Sequence, residues 1–513
     1  MNENFFALLE SHFPADRSQY CIETLHGVHY TWDDLERGAA QIANLLVTLK
    51  LPPGARIAAQ VEKSPEALLL YLATLRAGYV FLPLNTAYRE AEAAYFFDNA
   101  GPSLIVCDPA NLDWVSRVAH ETCRAIVLTL AADGASGTLI SEAQRQPVEF
   151  QTVPRGADDL AAILYTSGTT GRSKGAILSH RNLSSNALTL HDYWGWTPHD
   201  VLIHALPIFH VHGLFVAAHG ALLAGARMIW LPKFEAAEVI DLLPTATVFM
   251  GVPTMYGRLL ADPAFGEATC ANMRLFVSGS APLAFETFRQ FQERTGHTIL
   301  ERYGMTETNM LASNPCDPHR GGRLGGTVGM ALPGVSIRVV DDRGNLCAPG
   351  EIGSIEVQGP NVCLGYWRAP EKTQEDFTND GWFKTGDVGR FGGTTAGVKA
   401  PPTYLTIVGR NKDLIITGGF NVYPKEIEGF IDALPGVAES AVFGVPHPDF
   451  GEAVIAAVVA RPGAVLVEAQ MIKLLKQQIA NFKVPKHIHL VTELPRNVMG
   501  KIQKNVLKQS YSE

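Results

Sequence analysis

Long apolar runs, basic stripes and paired cysteines are all missing from this sequence. No stretch approaches the roughly 18 consecutive apolar residues that span a bilayer, so no membrane span is expected. Charged residues make up 18% of the chain, with 51 acidic against 42 basic residues and a formal charge of −9. No basic stripe interrupts that excess, which argues against a nucleic-acid partner. The seven cysteines, Cys21, Cys107, Cys123, Cys270, Cys316, Cys347 and Cys363, form no C-x-x-C pair. Their scatter and odd number argue against a zinc site or a disulfide framework and fit a reducing compartment. Met1 to Phe6 lack a basic region followed by an apolar run, so a cytoplasmic protein without a signal peptide is expected. No feature points to an obligatory protein partner.

What is present suits a large globular protein. The chain has 513 residues and is 47% hydrophobic, ample for a sizeable core and too long for one compact domain. Residues 1–155 alternate helical and strand patterns. Ser64-Pro65-Glu66-Ala67 reads as a capped helix start with proline in its first turn, and Leu68 to Leu75 continues it at helix spacing. Gly78 to Leu84 and Ser103 to Cys107 read as short buried strands, with an amphipathic helix over Arg89 to Ala100 between them. Helices between apolar strands predict βαβ units and a mostly parallel sheet. Val248 to Gly251 and Leu275 to Ser280 are apolar strands ending in small residues. Ligands of open α/β sheets sit beyond the carboxyl ends of strands, so these ends are candidate site positions.

From about Val335 the texture changes. Short strands at Ser336 to Val340, Ile352 to Val357 and Tyr404 to Val408 predict a small barrel or antiparallel lobe. After Gly409-Arg410 a compact α+β unit begins. It has a helix starting at Tyr423-Pro424, strands at Ser440 to Val445 and Ala453 to Ala460, and an amphipathic helix over Val467 to Phe482. The expected fold is α/β: a large N-terminal domain of βαβ layers with a β-barrel-like lobe over 1–409, then a small α+β C-terminal domain over 410–513.

The strongest chemical signal is Tyr165-Thr166-Ser167-Gly168-Thr169-Thr170-Gly171-Arg172-Ser173-Lys174-Gly175, directly after the apolar stretch Leu160 to Leu164. Glycines let the backbone turn tightly and aim N–H groups at an anion. The hydroxyls and Lys174 add donors and charge, which suits a polyphosphate. The spacing is not that of a Walker A loop, because Lys174 follows Gly171 by three residues and is itself followed by glycine.

This stretch resembles the signature of the adenylate-forming superfamily of acyl-CoA synthetases, adenylation domains and luciferases. Further motifs follow in the family's order: Arg302-Tyr303-Gly304-Met305-Thr306-Glu307, Thr385-Gly386-Asp387, Gly409-Arg410 with Lys412-Asp413, and Pro495 followed by Gly500-Lys501. The resemblance spans about residues 20 to 510. It implies that a carboxylate attacks the α-phosphorus of ATP, giving an acyl-adenylate and pyrophosphate, and that the thiol of CoA then takes the acyl group. Both steps build negative charge on oxygen, so positioning and electrostatics carry the catalysis.

The resemblance also implies roles. Glu307 would be the carboxylate for Mg²⁺, which favours few carboxylates beside phosphate oxygens and water. Thr306, together with Thr166, Ser167, Gly168, Thr169, Thr170, Gly171 and Lys174, would face the phosphates. Asp387 would accept from both ribose hydroxyls, with Arg410 as a second ribose or phosphate contact. Gly279, Ser280, Ala281 and Pro282 would line the adenine, and Glu301 to Gly304 would complete the nucleotide site. Lys501 would be the adenylation lysine, brought in by a mobile C-terminal domain pivoting at 410–413, near Lys412. The loop at Gly418 and Gly419 would then face CoA. Taken singly these signals are weak; a lone Thr-Gly-Asp is a common turn.

The acid is read from the segments around two motifs. A short dicarboxylate needs a fixed cation for its second charge, and an arginine fork is the expected solution. Glu301 to Met310, with Arg302 at its centre, and Pro207-Ile208-Phe209-His210-Val211-His212-Gly213-Leu214 closely resemble the malonyl-CoA synthetases. That resemblance implies malonate as substrate, with Arg302 and His210 contacting it, Met310 walling its C2 position and Arg258 as a weaker candidate. Val211 stands where threonine is frequent in that group, which suggests tolerance of methylmalonate. Phe391 to Pro402 is longer than the usual turn after Thr-Gly-Asp, and a mobile surface loop is expected there. The alternatives are a synthetase for acetate, a medium-chain or an aromatic acid, a carrier-loading adenylation enzyme, a silent nucleotide-binding scaffold, and, by fold alone, a light-emitting oxygenase.

Overall fold

The computed structural model of the chain describes all residues except 1, 26, 167–172, 396, 418, 419, 449, 498, 499 and 513. The expected parallel layers are two sheets packed on one core. The first has six strands in the order Ile126–Thr129, Leu104–Cys107, Arg56–Gln60, Val80–Pro83, Leu160–Thr166 and Lys174–Ser179. All of its pairings are parallel except the last. The second has nine strands, whose centre runs Leu300–Met305, Leu275–Ser278, Val248–Gly251, Val201–His204, Arg227–Trp230 and Tyr20–Thr24 in parallel.

One apolar cluster contains inward residues of both sheets, such as Ile57, Phe81 and Leu104 from the first and Leu202, Met228 and Leu275 from the second. The helix Pro65–Arg76 starts where the sequence places it. Ser64 accepts from Ala67 N at 3.1 Å, and every residue of the helix is buried. A helix covered all round belongs between layers rather than on a surface. Among the described residues no helix is long and apolar enough to cross a membrane.

The β-rich lobe is a four-stranded antiparallel sheet, Ser336–Val340, Gly353–Gln358, Phe383–Thr395 and Val398–Arg410. It corrects the expectation for residues 391–402. The described residues there extend a hairpin, with Phe391 paired to Leu405, Gly393 to Ala400 and Thr395 to Val398. The register shifts between Phe391 and Gly393, and Gly392 and Gly393 take φ of +66° and +84°. That bulge lets Pro401 and Pro402, which have no N–H to donate, lie within a paired hairpin.

In the C-terminal region a five-stranded sheet carries the helices Pro424–Asp432, Glu468–Lys476 and Lys504–Tyr511. The helix expected over Val467 to Phe482 stops at Lys476. Ile479 and Phe482 still pack on the local core, but from a turn and the 3-10 segment Asn481–Lys483. Burial, not helix, set their apolar spacing.

Candidate active site

The carboxyl ends of the central strands converge as expected. Arg302, on the strand Leu300–Met305, is 4% exposed. Its guanidinium lies over Gly279, where an added Cβ would stand 2.3 Å from Arg302 Cζ. A side chain at 279 would therefore displace the guanidinium. Among the described residues, Nε and Nη2 of Arg302 are buried without a hydrogen-bond partner. Burial lowers its pKa to about 9, so it remains charged near neutrality. A buried, unpartnered cation is costly unless an anion completes it.

Ser280 has φ +71°, a left-handed conformation rare for a residue with a side chain. Its Oγ shares a hydrogen bond of 3.2 Å with His212 Nδ1. His210 lies two residues earlier, partly exposed, and burial lowers its pKa to about 4. It is neutral at physiological pH and can orient a carboxylate by hydrogen bonding rather than by charge. Met310 is 2% exposed with its Cε beneath the Gly304 turn. Arg258 faces solvent on the helix Pro253–Ala261, with its charge near Glu235, and is not brought into this group. A cleft of about 170 Å³ is lined in part by Lys63, Ile208, Phe209 and Met255, without His210 in its lining.

A second group forms around Asp387, which is 4% exposed. Tyr303 Oη donates to its Oδ2 at 2.6 Å, and Arg410 Nε lies 2.9 Å from its Oδ1. Thr385 Oγ1 accepts from Asp387 N at 3.0 Å, which locks the turn. Glu307 is buried, and burial raises its pKa. Tyr366 Oη donates to Glu307 Oε1 at 3.2 Å. Lys174 Nζ sits 5.1 Å from the centroid of the Tyr366 ring. Thr306 and Gly304 lie between these groups in sequence and are partly exposed. Glu301 accepts from Leu283 N at 3.2 Å and is pushed by burial to about 7, so it shapes the 279–283 turn from beneath.

The C-terminal region closes on both groups. Burial, then the Arg410 and Lys412 charges, lower Lys501 to about 8, with Asp387 and Asp413 opposing. Gly500, at φ +72°, approaches the helix Pro253–Ala261 so closely that a Cβ there would stand 3.0 Å from Thr254 Oγ1. Lys412 stands on the exposed turn Asn411–Asp413. Ser167, Gly168, Thr169, Thr170, Gly171, Gly418 and Gly419 lie outside the described residues. Thr166, Ala281 and Pro282 lie at the same strand ends as Lys174 and Gly279. Sequence reasoning missed Tyr366 and the Ser280 partner His212, because neither contact has a local spacing signal. His212 was nonetheless within a segment that stood out.

Known proteins resemble this chain over most of its length. Residues 11–367 match the family described as AMP-binding enzyme, and 426–501 match AMP-binding enzyme C-terminal domain. The structure of ATP-bound MatB from Rhodopseudomonas palustris superposes with a TM-score of 0.96 at 55% identity, over 100% of this chain and 99% of that one. Apo MatB from the same organism, at the same identity and coverage, gives 0.85. A mitochondrial malonate–CoA ligase of Mus musculus is 36% identical over 477 residues, 86% of this chain and 79% of that protein. On these matches the chain belongs to the AMP-binding enzyme family.

Proposed function

We propose that the chain is an ATP-dependent malonate–CoA ligase, converting malonate, ATP and CoA to malonyl-CoA, AMP and pyrophosphate. The observation that carries the choice of acid is Arg302: a buried guanidinium with two unpartnered N–H groups at the end of the central strands. A monocarboxylic acid would leave those donors without an acceptor, whereas the distal carboxylate of malonate takes both in a fork. Neutral His210 then orients a carboxylate oxygen. Val211, buried beside the loop, gives a wall without a hydroxyl, and methylmalonate is included in the reading.

In the first half-reaction a malonate oxygen attacks the α-phosphorus and the bond to pyrophosphate breaks. Asp387, held by Tyr303 and Arg410, accepts from the ribose hydroxyls. Lys174 and Thr306 hold phosphate oxygens, and Lys501 meets the charge that builds between the carboxylate and the α-phosphate. Glu307 fits a divalent cation: it is one buried carboxylate with a single hydroxyl donor, its pKa raised by burial, and a cation would relieve that cost. Bound there, Mg²⁺ would neutralise phosphate charge. In the second half the CoA thiol attacks the adenylate carbonyl, the thiol proton is lost, and AMP leaves.

The division is 1–409 and 410–513, pivoting at 410–413. It is supported by apolar clusters of the described residues that lie wholly on one side or the other. The present arrangement is that of adenylation, with Lys501 beside Asp387. Greater likeness to ATP-bound than to apo MatB supports it. A cytoplasmic setting is supported by seven free cysteines. The experiment is CoA- and ATP-dependent pyrophosphate release with malonate, methylmalonate, succinate, acetate, octanoate and 4-coumarate, on wild type and Arg302→Ala. Malonate leading, with the variant losing malonate far more than acetate, supports the reading. Octanoate or 4-coumarate leading, with an indifferent variant, overturns the choice of acid.

A further inference from the structure

Lys174 opens the strand Lys174–Ser179, directly after the phosphate loop, and its ammonium has two unlike neighbours. The Tyr366 ring lies 5.1 Å from Nζ, and Asp376 Oδ2 lies 3.9 Å away. Asp376 is the last residue of the helix Pro370–Asp376. Its other oxygen is held at 2.9 Å by Lys372 Nζ, one helical turn earlier, and Lys372 also holds Glu375 at 2.8 Å. One carboxylate is thus shared between two ammonium groups at the edge of the phosphate loop.

Burial lowers the pKa of Lys174, and Lys372 lowers it further, while Asp376, Glu307 and Glu375 raise it. Glu307, hydrogen-bonded to the Tyr366 hydroxyl, also favours the charged form of Lys174. Among the described residues, Asp376 is the carboxylate within ion-pair range, at 3.9 Å. Both partners are about a quarter exposed, at 25% and 22%, so an incoming anion can displace one from the other.

We propose that Asp376, braced by Lys372, is a positioning residue for Lys174: it holds that ammonium at the mouth of the phosphate loop, over the Tyr366 ring, until the triphosphate of ATP takes its place as counter-anion. Lys372 does two things in this arrangement. It stops Asp376 from closing tightly on Lys174, and its own positive charge becomes available near the phosphates once Lys174 has turned to them. The inference rests on reading Lys174 as a phosphate contact. It concerns a helix none of whose residues is buried, so substitutions there leave the fold intact.

The test is the pH dependence of KM for ATP, measured by ATP–pyrophosphate exchange with malonate, on wild type and on the Asp376→Asn, Lys372→Met and Lys174→Met variants. Lys501 contributes the same alkaline limb to every protein, so the difference from wild type is what is read. Asp376→Asn raises KM for ATP by about two- to fivefold, the scale of a partly exposed ion pair, and moves the alkaline limb to lower pH, because Lys174 loses the carboxylate that favours its charged form. Lys372→Met moves the limb to higher pH, because a repelling charge is gone. A merely structural role for the helix would not produce opposite shifts. Limbs that move together, or do not move while Lys174→Met still raises KM for ATP, overturn the positioning role alone. A Lys174→Met enzyme that binds ATP like wild type overturns the phosphate reading, and the inference with it.

Discussion

Tyr303 donates its hydroxyl to Asp387 at 2.6 Å across 84 residues of sequence, and the same carboxylate pairs with Arg410 at 2.9 Å. The contact joins the central strand Leu300–Met305 to the antiparallel lobe, and its acceptor is the residue assigned to the ribose. Tyr303→Phe removes one donor from a buried carboxylate. Stability should fall by about 1.5–3 kcal/mol, the range for a hydrogen bond to a charged group, and KM for ATP should rise. Urea unfolding and ATP titration read the two effects separately.

Arg302 should trade stability for specificity. Its pKa falls on folding, to about 9, so the fold disfavours the charged form and that penalty is present at every pH below about 9. Arg302→Met should stabilise the ligand-free protein by on the order of 1 kcal/mol or more, read as a higher thermal midpoint. It should lower kcat/KM for malonate by about 2–5 kcal/mol, roughly 30-fold or more, as for one partner of a buried charge pair. An unchanged malonate kcat/KM would remove Arg302 from the substrate site.

Gly279→Ala is a milder probe of the same contact. The new Cβ would stand 2.3 Å from Arg302 Cζ, so the guanidinium must move. The expected result is a loss of about 1–3 kcal/mol in malonate kcat/KM, with KM for ATP changed far less. Equal losses for both substrates would mean that the 279 turn carries the nucleotide rather than the acid.

Lys501 sets an alkaline limit on the first half-reaction. Its pKa in the docked arrangement is about 8, lowered by burial and by Arg410. The ammonium is needed for adenylation, so kcat/KM for ATP in pyrophosphate exchange should decline as pH rises through about 8. Lys501→Ala should cut that rate by about 10²-fold or more and abolish this limb. A decline through about 8 that persists in the variant would assign that titration elsewhere.

Much of this was legible in the chain itself. The strands Val248–Gly251 and Leu275–Ser278 are short apolar runs ended by small residues, and they fold where the pattern puts them. The same holds for the Ser64 cap of Pro65–Arg76. Glycines, hydroxyls and a lysine close in sequence are local requirements of a phosphate loop, and the order of the motifs carried the resemblance that implied the chemistry. Helix length beyond Lys476 was overread, since Ile479 and Phe482 have helical spacing but bury from irregular backbone.

The sequence by itself determined the layered α/β fold and, through its resemblance to a known family, pointed to the nucleotide chemistry, with an arginine, Arg302, inside the second motif. Only the tertiary structure decided that Arg302 is buried with Nε and Nη2 unpartnered among the described residues, that Arg258 faces solvent, and that the described residues of 391–402 contribute to a bulged hairpin rather than a loop. It also decided that Tyr366 contacts both Glu307 and Lys174, and that Asp376 reaches Lys174. The physical reason is one of range. Periodicity, capping and turn chemistry act over a few residues, whereas burial, ion pairing and close approach depend on which distant segments the packed sheets bring together.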